Sequence, residues 1–165
     1  MNVPYRTSFV ALGSNLGDRA ALLEQALCEL DAVPGTRVDA VSRFHETAAE
    51  GGPPGQGDFL NAVARIETRL APEDLLAHLQ RIESAHGRDR SHEERSGPRT
   101  LDLDLCWMAG ETRTSEHLQL PHPRMEARLF VLEPLADVAP RFVLPGCGLP
   151  VRERIEALRG APANS

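Results

Sequence analysis

From Leu101 to Leu105 leucine and aspartate alternate without a break, LDLDL. Successive side chains of a β-strand point to opposite faces, so this run sets three leucines on one face and the carboxylates of Asp102 and Asp104 on the other. An apolar face has to be covered, which makes the segment part of a sheet packed against helices. The remaining sequence supplies both. Thr7 to Leu12 is a β-branched and apolar run ended by Gly13, and Asn15 to Asp18 carries capping chemistry for a helix with Leu23, Leu27 and Leu30 at helical spacing. GSN, Gly13 to Asn15, reads as a turn and helix cap rather than a catalytic site. Pro34 and Gly35 break the helix, after which Val38, Ala40, Ser42 and Phe44 alternate with polar neighbours as in a half-buried strand. Phe59 to Thr68 is a third strand. Pro72 opens a second helix with Leu75, Leu76, Leu79 and Ile82 as its buried stripe, Gly87 closes it, and the LDLDL strand spans about Thr100 to Met108.

The order β-α-β-β-α-β predicts an α+β fold on the ferredoxin-like plan, an antiparallel sheet covered by helices on one face. A short helix after PHPRM and an amphipathic one at VRERIEAL are C-terminal additions. At 165 residues the chain fits one domain, 1–160, followed by a disordered tail, 161–165. No run approaches the ~20 apolar residues of a membrane span, and no signal-like stretch opens the chain, which reads as that of a cytoplasmic protein. Cys28, Cys106 and Cys147 are odd in number and far apart, so they read as small buried side chains rather than a disulfide framework or zinc site.

A net charge of -6 argues against a general nucleic-acid binder. All 18 basic residues are arginine, which removes a P-loop lysine or a Schiff-base lysine from consideration. Arg81, Arg88, Arg90, Arg95 and Arg99 cluster just ahead of LDLDL, and the planar guanidinium fork suits phosphate. Along a strand Asp102 and Asp104 lie roughly 6 to 7 Å apart, near enough to ligate one magnesium ion together or to bridge two. Magnesium is preferred over zinc because no His or Cys pair stands beside them at ligand spacing. Carboxylate-held hard cations flanked by arginines are the parts that hold ATP phosphates and neutralise charge as a phosphoryl group moves. EGGPPGQGD, Glu50 to Asp58, is too poor in apolar residues to pack alone and reads as a mobile binding loop.

ALGSNLGDR at Ala11 to Arg19, FLNAV at Phe59 to Val63, RSGPRTLDLDL at Arg95 to Leu105 and LPHPRMEARLFVLEPLADVAP at Leu120 to Pro140 together resemble the 6-hydroxymethyl-7,8-dihydropterin pyrophosphokinases of folate synthesis. The resemblance implies transfer of pyrophosphate from ATP to the pterin, with Asp102 and Asp104 as ligands of two magnesium ions and Arg88 and Arg99 as mobile phosphate contacts. It further implies that Arg90, His122 and Arg128 hold ATP phosphates and that Gln80 and Glu83 belong to a helix lining the nucleotide and metal site. Phe59 and Phe130 would sandwich the pterin ring, Asn61 would hydrogen-bond its edge, and backbone around Thr47 and Ala48 would complete the recognition. The partners so implied are the two small molecules, with no nucleic acid or membrane, and the chain acts as a monomer. Three residues depart from the family pattern. Ser96 stands where an aromatic residue often seals the closed site, and His117 and Gln119 stand where an arginine and a threonine can assist the nucleotide. Two other activities fit the same residues: a two-metal nucleotide phosphohydrolase, and a non-catalytic pterin-binding paralogue without efficient lid closure.

Overall fold

The structure, a computed structural model, describes residues 2–88 and 97–160. Strand β1 (Arg6–Ser14) leads into helix α1 (Arg19–Asp31), capped by Asp18, whose carboxylate accepts the Ala21 N–H at 3.2 Å. Strands β2 (Thr36–Val41) and β3 (His45–Thr47) both pair with β4 (Phe59–Thr68). Helix α2 (Pro72–Ala85) follows, with proline in its first turn and Gly87, at φ +89°, just past its end. Strand β5 (Asp102–Met108) carries the alternating motif. A small hairpin of β6 (Arg113–Thr114) and β7 (Gln119–Leu120), a single 3-10 turn and helices α3 (Leu129–Val138) and α4 (Val151–Gly160) complete the described chain. The sheet order is β2-β4-β1-β5, all antiparallel, with β3 beside β4, so the ferredoxin-like βαββαβ plan is present.

One expectation about coverage is corrected. Val10, Leu12, Ala62, Ala64, Ile66, Leu101, Leu103 and Leu105 pack with α1 and α2, whereas Phe9, Val63 and Cys106 turn to a second core built by α3 and α4. Helices therefore cover both faces of the sheet. The reason is the apolarity of α3, where Val131, Leu132, Leu135 and Val138 are all buried, together with a cluster of Phe9, Trp107 and Phe142 whose ring centroids lie 4.7 to 5.4 Å apart.

The second strand is also shorter than its alternation predicts. A bulge between Val38 and Ala40 shifts the register against β4, and an extra residue in a strand reverses the facing of everything beyond it. Val38 accordingly packs with the first core and Ala40 with the second. The chain leaves β2 after Val41 and returns as the separate β3, which the alternation does not announce. The cysteine reading holds for Cys106, which is buried, but Cys28 and Cys147 are exposed. The expected tail, 161–165, and Arg90, Arg95 and Ser96 lie outside the described residues.

Candidate active site

Strand register assembles the site. Gly13 of β1 pairs with Asn61 of β4 on one side and Asp102 of β5 on the other, and Ala11 pairs likewise with Val63 and Asp104. On the far side of β4, His45 pairs with Asn61 and Thr47 with Phe59. Directly paired residues share a face. Thr47, Phe59, Asn61, Asp102 and Asp104 consequently form one array across four strands, on the face that α3 covers in part. Arg128 and Phe130 at the start of α3, and Arg99 just ahead of β5, close over this array, and all of these residues line one cleft with Ala48, Glu50 and Val131.

At one end of the cleft Asn61 is buried and its Nδ2 donates to Thr47 Oγ1 at 2.6 Å, the partner that an asparagine inside a strand requires. Phe59 and Phe130 are half-buried lining residues rather than members of the closed core. The floor beside Asn61 and Phe59 is Gly13, missed by the sequence reading. A Cβ there would stand 3.2 Å from Asn61 Oδ1 and 3.6 Å from Phe59 Cδ1. The signal was present, since a glycine inside a strand marks a close approach.

At the other end lie the carboxylates. Burial, reinforced by the charges of Asp102 and Glu83 and opposed by Arg128 and Arg88, pushes the Asp104 pKa up to about 7 from 3.8. Among the described residues no group of three or more His, Cys, Asp or Glu side chains is placed to hold a metal ion. A pair of aspartates is nonetheless the donor set magnesium accepts when phosphate oxygens and water complete its shell, and a buried carboxyl reluctant to ionise alone is one a dication would relieve.

The remaining expected residues are distributed around this end. Arg88 bonds the Glu83 carboxylate and donates to Asp102 Oδ1 at 2.6 Å. Glu83 does not line the cleft: it is 1% exposed, and its Oε2 also accepts the Leu103 N–H at 2.9 Å on the open edge of β5. Gln80 is exposed on α2 and outside the cleft. His122 lies outside it too, with its N–H on the Cys106 carbonyl at 2.8 Å. Its Nδ1 accepts the Arg124 N–H at 3.2 Å, which assigns the ring proton to Nε2. Burial and the charges of Arg128 and Arg124 lower its pKa, so the ring is neutral at pH 7 and Nε2 is a donor.

The Asp104 shift has a measurable sign. Between about pH 4 and 7 the folded chain without a cation holds a proton that the unfolded chain has lost, so stability falls as pH rises through that window. In the presence of a chelator Asp104→Asn is expected to be more stable than wild type by roughly 2 kcal/mol at pH 8, with the difference closing toward pH 4. Urea denaturation across that range reads it, and a difference independent of pH would contradict the assignment.

Residues 9–140 match the family model of 7,8-dihydro-6-hydroxymethylpterin-pyrophosphokinase. The 2-amino-4-hydroxy-6-hydroxymethyldihydropteridine pyrophosphokinase of Pseudomonas aeruginosa is 44% identical over 160 residues, covering 93% of this chain and 97% of the relative. The protein of the same name from Bacillus subtilis is 45% identical over 131 residues, covering 79% and 77%. Among solved structures, the Plasmodium falciparum HPPK-DHPS wild type with pterin and p-hydroxybenzoate superposes with a TM-score of 0.70 at 12% identity, over 92% of this chain and 43% of that one. An HPPK-DHPS complex with substrates gives 0.70 at 12% identity over 93% and 43%. The chain thus spans less than half of these solved chains, and the likeness to them is one of fold.

Proposed function

The chain belongs to the 7,8-dihydro-6-hydroxymethylpterin-pyrophosphokinase family, and we propose that its reaction takes place in the cleft between the start of α3 and the Asp102 to Asp104 end of β5. The protein transfers pyrophosphate from ATP to 6-hydroxymethyl-7,8-dihydropterin, a step of folate biosynthesis. One observation carries the reading: two aromatic rings, Phe59 and Phe130, and the buried amide of Asn61 line the same cleft as the carboxylates of Asp102 and Asp104 and the guanidinium groups of Arg99 and Arg128.

In this reading the pterin ring lies between Phe59 and Phe130, with Asn61 and the backbone near Thr47 and Ala48 on its edge. That orientation sends the hydroxymethyl group toward Asp102 and Asp104. The hydroxyl oxygen attacks the β-phosphorus of ATP, and AMP leaves. Asp102 and Asp104 hold the magnesium ions, which supply charge neutralisation on the phosphates. Arg88, Arg99, Arg90, Arg128 and His122 are the remaining phosphate contacts, and Glu83 acts through Arg88 rather than by touching the nucleotide. Alignment of the two substrates in a cleft shielded from water accounts for the rate without a covalent intermediate. The proposal takes 1–160 as one catalytic unit acting as a monomer in the cytoplasm. One sheet carrying both cores supports the first point, and among the described residues no helix is long and apolar enough to cross a membrane.

The test is AMP formation from ATP and magnesium with and without the pterin. Dependence on the pterin is expected. Release of AMP without it would indicate a phosphohydrolase, and pterin binding without AMP would indicate an inactive paralogue. The floor of the pterin end can be probed separately. Gly13→Ala pushes a methyl against Asn61 Oδ1 and is expected to raise the pterin KM about tenfold, equivalent to ~1.4 kcal/mol, with a smaller effect on the ATP KM. An unchanged pterin KM would place the ring elsewhere.

A further inference from the structure

We propose that Glu126 is a positioning residue: the backbone of the turn 144–149 clasps its carboxylate, which fixes the chain just before Arg128 and so sets where the Arg128 guanidinium stands in the cleft. The proposal rests on the pyrophosphokinase reading, in which Arg128 is a phosphate contact, and deepens it. Glu126 itself does not line the cleft. It belongs to the 3-10 turn Met125–Ala127, and Arg128 joins that turn to α3. The Arg128 N–H donates to the Met125 carbonyl at 3.5 Å, and the Arg128 carbonyl accepts the N–H groups of Val131 and Leu132 at 3.0 Å. No side chain caps the start of α3, so the turn ahead of it has to be held from elsewhere.

Three contacts hold it. Glu126 Oε2 accepts the Gly146 N–H and Oε1 accepts the Cys147 N–H, both at 2.7 Å. From α4, Arg154 Nε donates to the Glu126 carbonyl at 2.7 Å. Two successive amides aimed at one carboxylate form a cradle for its charge, and hydrogen bonds to an ionised acceptor are the stronger kind. The fit depends on glycine, since a Cβ at position 146 would stand 2.7 Å from Oε2 and 2.9 Å from Oε1. The turn that supplies the amides is itself fixed. Leu144 is fully buried in the second core, its N–H donates to the Leu149 carbonyl at 2.9 Å, and its carbonyl accepts the Gly148 N–H at 2.9 Å. Every partner in the clasp lies beyond residue 140, where the family match ends, so the C-terminal segment serves the site without lining it. Arg128 feels the clasp more than Phe130 does, because Phe130 lies within α3, whose Val131, Leu132 and Leu135 are buried in the second core. A guanidinium displaced by a fraction of its own size loses its alignment with a phosphate.

The experiment measures kcat/KM for ATP, with magnesium, in pterin-dependent AMP formation by the wild type, Glu126→Ala, Arg128→Ala and the double variant, with urea denaturation to establish that each is folded in the assay. Glu126→Ala is expected to lose about tenfold in kcat/KM, less than the loss that a full ångström of misplacement can cause. In the Arg128→Ala background the same substitution is expected to cost less than about twofold, because residues that act through one another are not additive. A role confined to stability would instead lower both backgrounds alike. Gly146→Ala drives the carboxylate from its cradle while leaving Glu126 in place, and is expected to repeat the pattern, which keeps the test decisive if Glu126→Ala folds poorly. Equal losses in the two backgrounds, or no loss in either Glu126→Ala or Gly146→Ala, overturn the proposal alone. Arg128→Ala within about twofold of wild type would remove Arg128 from the phosphate contacts and the proposal with it. Absence of pterin-dependent AMP formation in the wild type would remove the pyrophosphokinase reading as well.

Discussion

Asp102→Asn and Asp104→Asn are each expected to lower pterin-dependent AMP formation by at least about a thousandfold, a loss of ~4 kcal/mol of transition-state stabilisation. Each substitution preserves shape and removes one negative charge from the cleft. In the proposed mechanism metal ions would contribute several kcal/mol by neutralising charge that develops on the phosphates, and each would depend on these carboxylates for its place. The two variants should differ elsewhere. Asp104, deeper and held near pH 7 in its ionisation, gains stability on becoming asparagine above neutral pH, while asparagine at 102 keeps an acceptor for Arg88 at 2.6 Å but loses the charge that pairs with it. Single-turnover AMP release at saturating ATP, magnesium and pterin reads the effect. Activity within about tenfold of wild type in either variant would mean that this aspartate holds no essential metal.

The second large effect falls on Arg88. Its side chain is 6% exposed and meets the Glu83 carboxylate, which is 1% exposed, so Arg88→Ala removes one cation from a buried ion pair. Removing one partner of a buried pair typically costs 3 to 5 kcal/mol, and about 3 kcal/mol is expected here because Glu83 keeps the Leu103 N–H. In the proposed mechanism the same substitution also removes a phosphate contact, with an expected loss of at least about a hundredfold in kcat. Adding Glu83→Gln separates the two roles. The double variant Glu83→Gln with Arg88→Ala should recover most of the stability in urea denaturation and none of the rate. Recovery of both would reduce Arg88 to a structural counter-ion, and a stability loss below ~1 kcal/mol would show the pair to be screened by water.

Which parts of this were legible in advance follows from how local each signal is. The Leu101 to Leu105 alternation needs only the two-residue period of a strand, and it predicted correctly that the leucines face a core and the aspartates do not. Asp18 as helix cap, proline at the start of α2 and Gly87 past its end are decided within a single turn. The C-terminal helices were also visible, but not which face they cover, because an apolar helix states only that it is buried. Bulges are harder still. The one between Val38 and Ala40 comes from pairing with β4, and it defeated an alternation that read cleanly through Phe44.

The sequence by itself determined the chemistry: arginine in place of any lysine, two aspartates on one strand face, and an asparagine and aromatic residues in a motif set that resembles one family. Tertiary structure decided the contacts. Glu83, expected on a helix lining the nucleotide and metal site, is buried and bonds Arg88, and Gly13 and Asn15 looked like a turn and cap. Gly13 is the floor between Asn61 and Phe59, and Asn15 joins two loops some forty and eighty residues away in the chain. The physical reason is that residue type and spacing fix what a side chain can do and which way a strand points it. What it touches depends on partners brought near by register and packing, and for Asn15 and Glu83 those partners lie beyond the reach of any local pattern.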